Sequence, residues 1–202
     1  MGTLDHAAPL KTRRIPAAAL TAAVAALCAC SGIPPLIDRH DPLTAQEHAS
    51  LGASYEKQGL KKEALDQYET AARLTPKDPE AWIALGNILF NGGELAAAES
   101  NYRRALKIAP HNAGASNNLA MVLLEQDKDI RQAETLAQDA LKQEGPLKPY
   151  ILDTLANVYL RQGRADEAQA AFERAEAATP ADDPGFHDRL ELTRVKIKEH
   201  RK

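Results

Sequence analysis

A spacing of 34 residues governs this chain. Gly52 and Gly86 stand one period apart, as do Ala64 and Ala98, Tyr68 and Tyr102, Ala71 and Ala105, and Pro76 and Pro110. Five coincident positions at one period define a repeating unit, and periods of about 20–50 residues point to a stacked array rather than a single closed core. A third copy follows with two one-residue insertions. Ala120 takes the glycine place, Ala133 and Ala140 the two alanine places after an insertion in EQDKDI, and Pro146 the proline place after another. A fourth copy restores the pattern with Leu155, Ala156, Tyr159, Ala168, Phe172, Ala175 and Pro180.

The period has a physical origin in paired helices. Within each copy the apolar residues recur at intervals of three and four, which puts them on one stripe of each of two helices. In the second copy these run from Glu80 to Phe90 and from Leu95 to Ile108. Small residues at Gly52, Gly86, Ala120 and Ala156, and at Ala64, Ala98, Ala133 and Ala168, allow the helices to approach closely, while Tyr68, Tyr102 and Phe172 fill the space between pairs. Ala137 stands where the third large residue belongs, so the third copy either packs less tightly or borrows volume from Leu123, Leu136 or Leu141. NGGE and RQGR break the first helix before the second, and Pro76, Pro110, Pro146 and Pro180 end the second. The chain is rich in alanine and poor in aromatics, a composition of helix formers that predicts an all-α protein.

These motifs, AWIALGNILF and LANVYLRQGRADEAQAAFERA above all, resemble the tetratricopeptide repeat. The resemblance implies a right-handed α-solenoid of four helix-turn-helix repeats at 45–78, 79–112, 113–147 and 148–182. Residues 183–202 then form a C-terminal capping helix, with Phe186, Leu190, Leu192, Val195 and Ile197 covering the open end of the fourth repeat. It also implies that the first helices of the repeats line a concave face that receives an extended peptide or a partner helix. Asn87, Asn117, Asn118, Asp153 and Asn157 occupy the inward places, where side-chain amides can bond a peptide backbone. Asn87 and Asn118 match the amide places of the clamp by which some repeats hold a C-terminal carboxylate. Ala49, Ala53, Tyr150 and Thr154 do not match its remaining places, so that specificity is not carried over.

The front of the chain has a different character. Lys11, Arg13 and Arg14 precede an uncharged run from Ile15 to Leu27, too short for a bilayer core that needs about 20 apolar residues. That layout is a secretory signal peptide, residues 1–29. Leu27-Cys28-Ala29-Cys30 resembles the bacterial lipoprotein cleavage box, which makes Cys30 the lipidated first residue of the mature chain and discards Cys28 with the signal. Ser31 follows in place of Asp, which directs such a lipoprotein to the outer membrane, facing the periplasm. Residues 30–44, with Pro34, Pro35 and Pro42, read as a stiff tether.

Chemistry has no evident seat. The six histidines are scattered, Cys28 and Cys30 lack the second ligand pair of a zinc site, and no phosphate loop or nucleophile elbow occurs. We therefore expect neither enzyme activity nor a cofactor, metal or small-molecule substrate. The net charge of -3, without a basic stripe, argues against nucleic acid. The remaining expectation is a membrane-anchored adaptor that grips a client protein, resembling lipoproteins of type IV or Flp pilus assembly and secretin insertion. A scaffold for polysaccharide export or for peptidoglycan enzymes shares the same features.

Overall fold

The computed structural model describes residues 41–143, 145–180 and 182–200. The signal peptide and Cys30 lie outside the described residues, and of the tether only Asp41–Thr44 is described, exposed and without helix or strand. The described residues hold nine helices and no strand. They are α1 (Ala45–Lys57), α2 (Lys61–Leu74), α3 (Pro79–Asn91), α4 (Leu95–Ile108), α5 (Ala113–Glu125), α6 (Ile130–Leu141), α7 (Lys148–Arg161), α8 (Ala165–Ala178) and α9 (Pro184–His200). Each odd-numbered helix from α1 to α7 packs most extensively on the helix that follows it, so the unit is an antiparallel pair.

Local chemistry sets the ends of these helices. Thr44 and Glu47 form a reciprocal capping box at α1. Asp78 accepts from Glu80 N–H with Pro79 at the first helical position of α3, and Asn112 accepts from Ala115 N–H at 2.8 Å to start α5. The turn inside each pair closes on one recurring bond, in which Leu60, Glu94, Lys128 and Arg164 N–H donate to the carbonyls of Tyr55, Leu89, Leu123 and Tyr159. Such a turn needs one left-handed residue. Gly59, Gly93 and Gly163 supply it at φ of 75°, 77° and 73°, whereas the third turn places Asp127 there at φ 53°. The inserted Asp129 is left-handed too, at φ 39°, and its carboxylate caps α6 through Gln132 N–H.

Size matching between the two helices of a pair explains the glycines. A Cβ on Gly52 would meet the Tyr68 ring at 2.8 Å, and one on Gly86 would meet the Tyr102 ring at 2.5 Å. Where the opposing residue shrinks to Ala137, the glycine place holds Ala120, and both are fully buried. Leu123 is buried in the same cluster, with Leu136 and Leu141 packed against it, which supplies the volume that Ala137 lacks. The apolar interior falls into two clusters. A smaller one joins α2 and α3 through Ala64, Tyr68, Ala72 and Leu85, and a larger one runs from Ala98 to Ile197.

The backbones of α1, α3, α5 and α7 approach those of their counterparts in the next pair, while among the described residues α2, α4, α6 and α8 stand further from theirs and meet through long side chains, as where Arg103 Nη2 donates to Gln132 Oε1 at 3.2 Å. An array held closer along one row bends toward that row, so the first helices form the inner face. Helix α9 packs on α7 and α8. It buries Phe186, Leu190, Thr193 and Ile197, spaced four, three and four apart on one stripe. Leu192 and Val195 fall off that stripe and are 65% and 50% exposed, so they do not share in the cap as the sequence reading had them.

Candidate functional site: the inner face and its two clefts

Two adjoining clefts open along the inner face. One, of about 360 Å³, is lined by Asn87, Asn117 and Asn118 together with Tyr102, Tyr150 and Arg189. The other, of about 580 Å³, lies between α5, α7 and α9, with Leu124, Leu160, Leu192, Asn157 and Lys196 in its walls. Phe90, Met121 and Arg189 line both.

The five inward residues of the sequence reading do not share one task. Asn87 Oδ1 accepts from Tyr102 Oη and from Asn118 Nδ2, each at 2.8 Å, so this pair of amides joins α3 to α5. Burial pushes the Tyr102 phenol well above its ordinary range, which keeps it a neutral donor to Asn87 at any physiological pH. Asn117 is 6% exposed; its Nδ2 points to Met121 Sδ at 3.7 Å, and its Oδ1 is buried without a hydrogen-bond partner.

Asp153 serves the cap and not a ligand. It is 0% exposed, lines neither cleft, and accepts from Arg189 Nε at 2.6 Å and from Thr193 Oγ1 at 2.7 Å. Asn157 also reaches α9, donating to Thr193 Oγ1 at 3.1 Å and accepting from Lys196 Nζ at 3.1 Å. The α9 start is pinned by Asp183, which accepts from Tyr150 Oη and from Phe186 N–H at 3.0 Å. These two bonds, the phenol's first, hold the Asp183 carboxyl below its usual range.

The sequence reading missed Arg189, which among the described residues is the one cation that lines both clefts. Two signals pointed to it. Asp153 stands alone in the otherwise neutral run YILDTLANVYL, so its burial required a cation from elsewhere, and Arg189 is three residues from Phe186 and four from Thr193, on the buried stripe. Among the described residues no group of three or more His, Cys, Asp or Glu side chains is placed to hold a metal.

A curved row of antiparallel helix pairs, closed by an extra helix and open along its first helices, is the architecture of a tetratricopeptide-repeat protein. The chain belongs to the family described as Cytochrome c-type biogenesis protein H TPR domain, which it matches over residues 54–186. Human Protein O-mannosyl-transferase TMTC2 is 43% identical over 60 residues, covering 30% of this chain and 7% of that protein. Cellulose synthase operon protein C of Xanthomonas axonopodis pv. citri (strain 306) is 32% identical over 134 residues, covering 63% of this chain and 9% of that protein. The chain thus spans less than a tenth of the length of these curated relatives. The solved structure of Pseudomonas aeruginosa pilF has the same fold, with a TM-score of 0.62 at 23% identity over 77% of this chain and 72% of that one.

Proposed function

We propose that the chain is a lipid-anchored adaptor of the bacterial outer membrane, facing the periplasm and holding a client protein on its inner face. The observation that carries this reading is the pair of clefts, whose apolar walls of Phe90, Met121, Leu124 and Leu160 stand beside the Asn117 amide. Surface of that kind binds extended segments or helices of other proteins and catalyses nothing itself. Anchoring through Cys30 raises the local concentration of the array at the membrane, where a client can be retained without high intrinsic affinity. The proposed client belongs to pilus or secretin assembly, a reading supported by the order of segments along the chain and by the fold shared with pilF.

Two measurements test it. Labelling cells with an alkyne fatty acid should mark the chain and its Cys28→Ala variant but not Cys30→Ala; a labelled Cys30→Ala chain refutes the anchor. Crosslinking in cells followed by purification should recover one protein partner, and recovery of none refutes the adaptor. A second reading, a scaffold subunit in polysaccharide export, is favoured by the identity to cellulose synthase operon protein C. A crosslinked partner from a glycan-export complex would select it over the pilus reading.

A further inference from the structure

The helix that closes the array has an outer side that the array does not use. Its buried stripe of Phe186, Leu190, Thr193 and Ile197 faces α7 and α8. On the opposite side, at intervals of four, three and four, stand Asp188, Leu192, Val195 and Glu199, all exposed. The last helix of a repeat array meets water, so its outer side should be polar throughout. Leu192 and Val195, 65% and 50% exposed and one turn apart, break that rule near the middle of the helix.

The charges on either side of this apolar pair are sorted by sign. Ahead of it come Asp182, Asp183, Asp188 and Glu191, with Arg189 among them. After it come Lys196 and Lys198 against Glu199, and Arg201 and Lys202 continue the basic run in the sequence. Arg189 is committed to Asp153, and Glu191 to Arg194, which also bonds Glu176. With those pairs counted, Asp182, Asp183 and Asp188 still leave the first half acidic. Lys196, whose Nζ meets the neutral Asn157 Oδ1, and Lys198 still outweigh Glu199 in the second half. Acids early and bases late suit the dipole of any helix, but the dipole has no use for a leucine and a valine exposed between them.

We infer that this outer side of α9 docks on the same side of a second copy of the chain, the two helices running antiparallel about a two-fold axis. Leu192 of each copy then meets Val195 of the other beside the axis, and each acidic half lies over a basic half, as a self-complementary contact requires. A parallel pairing would set acid over acid and base over base. At 17 residues α9 is about 25 Å long and about 10 Å wide, so the contact covers roughly 250 Å² per copy, well under the ~800 Å² per partner of a standard stable interface. The dimer is therefore reversible, with a Kd of about 10–100 μM. Leu192 and Lys196 also line the larger cleft, so the axis sets two such clefts side by side, opening on the same side of the pair. The pairing goes beyond the adaptor reading, which stands or falls without it.

Sedimentation velocity of the full chain at low salt, with a reducing agent and at about 1–200 μM, tests it. The chain should pass from monomer to dimer across that range and go no further, because a two-fold contact closes on itself. Leu192→Ser with Val195→Ser should leave it monomeric throughout. Asp182→Lys with Asp188→Lys makes both halves basic, and Lys196→Glu with Lys198→Glu makes both acidic; each should weaken self-association about tenfold or more, and an equimolar mixture of the two should dimerise again. All six positions are exposed, so helix content by circular dichroism should not change. A chain that stays monomeric at the highest concentration overturns the inference and assigns this side of α9 to another occupant. Self-association that ignores Leu192→Ser with Val195→Ser, or a mixture that stays monomeric when each charge variant alone is monomeric, overturns it as well.

Discussion

Replacing Asn117 by leucine should make the protein more stable, an uncommon direction for a single substitution. Leaving a buried acceptor unsatisfied costs about 1–3 kcal/mol, and the Asn117 Oδ1 is such an acceptor. The bond it would forfeit, Nδ2 to Met121 Sδ at 3.7 Å, is a weak one. Leucine is bulkier than asparagine but keeps its branched outline, the smaller cleft beside Asn117 gives the added volume room, and the second repeat already carries Ile83 at this place, so overpacking is small. The net gain is about 1–3 kcal/mol, equivalent to roughly 2–10 °C in Tm for a chain of this size. Urea titration followed by far-ultraviolet circular dichroism should show a higher midpoint with unchanged slope. An unchanged or lower midpoint refutes the reasoning, because it would mean that the amide is satisfied where it lies.

Three further perturbations are specific. Gly86→Ala should destabilise by about 1–3 kcal/mol because its Cβ would lie 2.5 Å from the Tyr102 ring, and Tyr102→Ala in the same chain should recover part of that loss in a double-mutant cycle. Arg189→Met leaves the 0% exposed Asp153 carboxylate without its cation and should cost about 3 kcal/mol by urea denaturation, whereas Asp153→Asn with Arg189→Met should cost less. The Asp183 carboxyl is held below its unfolded value of about 3.9, so its link to Tyr150 adds stability above that pH and is lost as pH falls through the lower folded value. Hydrogen exchange should therefore show the α9 amides opening first on acidification, a step absent from Asp183→Asn.

The fold could be read from the sequence because close packing leaves a periodic stamp. Gly86 is a glycine for the sake of Tyr102, and that pairing recurs at 34 residues as Gly52 with Tyr68. The register of α9 was harder to read, since Leu192 and Val195 satisfy an apolar count as well as Thr193 does. What decides between them is the geometry of the surface beneath, where Asp153 and Asn157 draw a hydroxyl inward. The inner face was legible as a set of places but not as a set of tasks. Asn87 and Asn118 turned out to bond one another, and Asp153 to bond Arg189, because those partners lie 31 and 36 residues away and meet only once the helices have stacked.

The division of the interior into two clusters has a mechanical meaning. Tension arriving through the segment ahead of Thr44 enters at α1, whose pair belongs to the smaller cluster. In an array where each pair leans only on its neighbours, that end yields first, while the clefts, built mainly on the larger cluster, keep their shape. A bound segment would thus rest on the firm end of the array, with the give confined to the pair that follows Thr44.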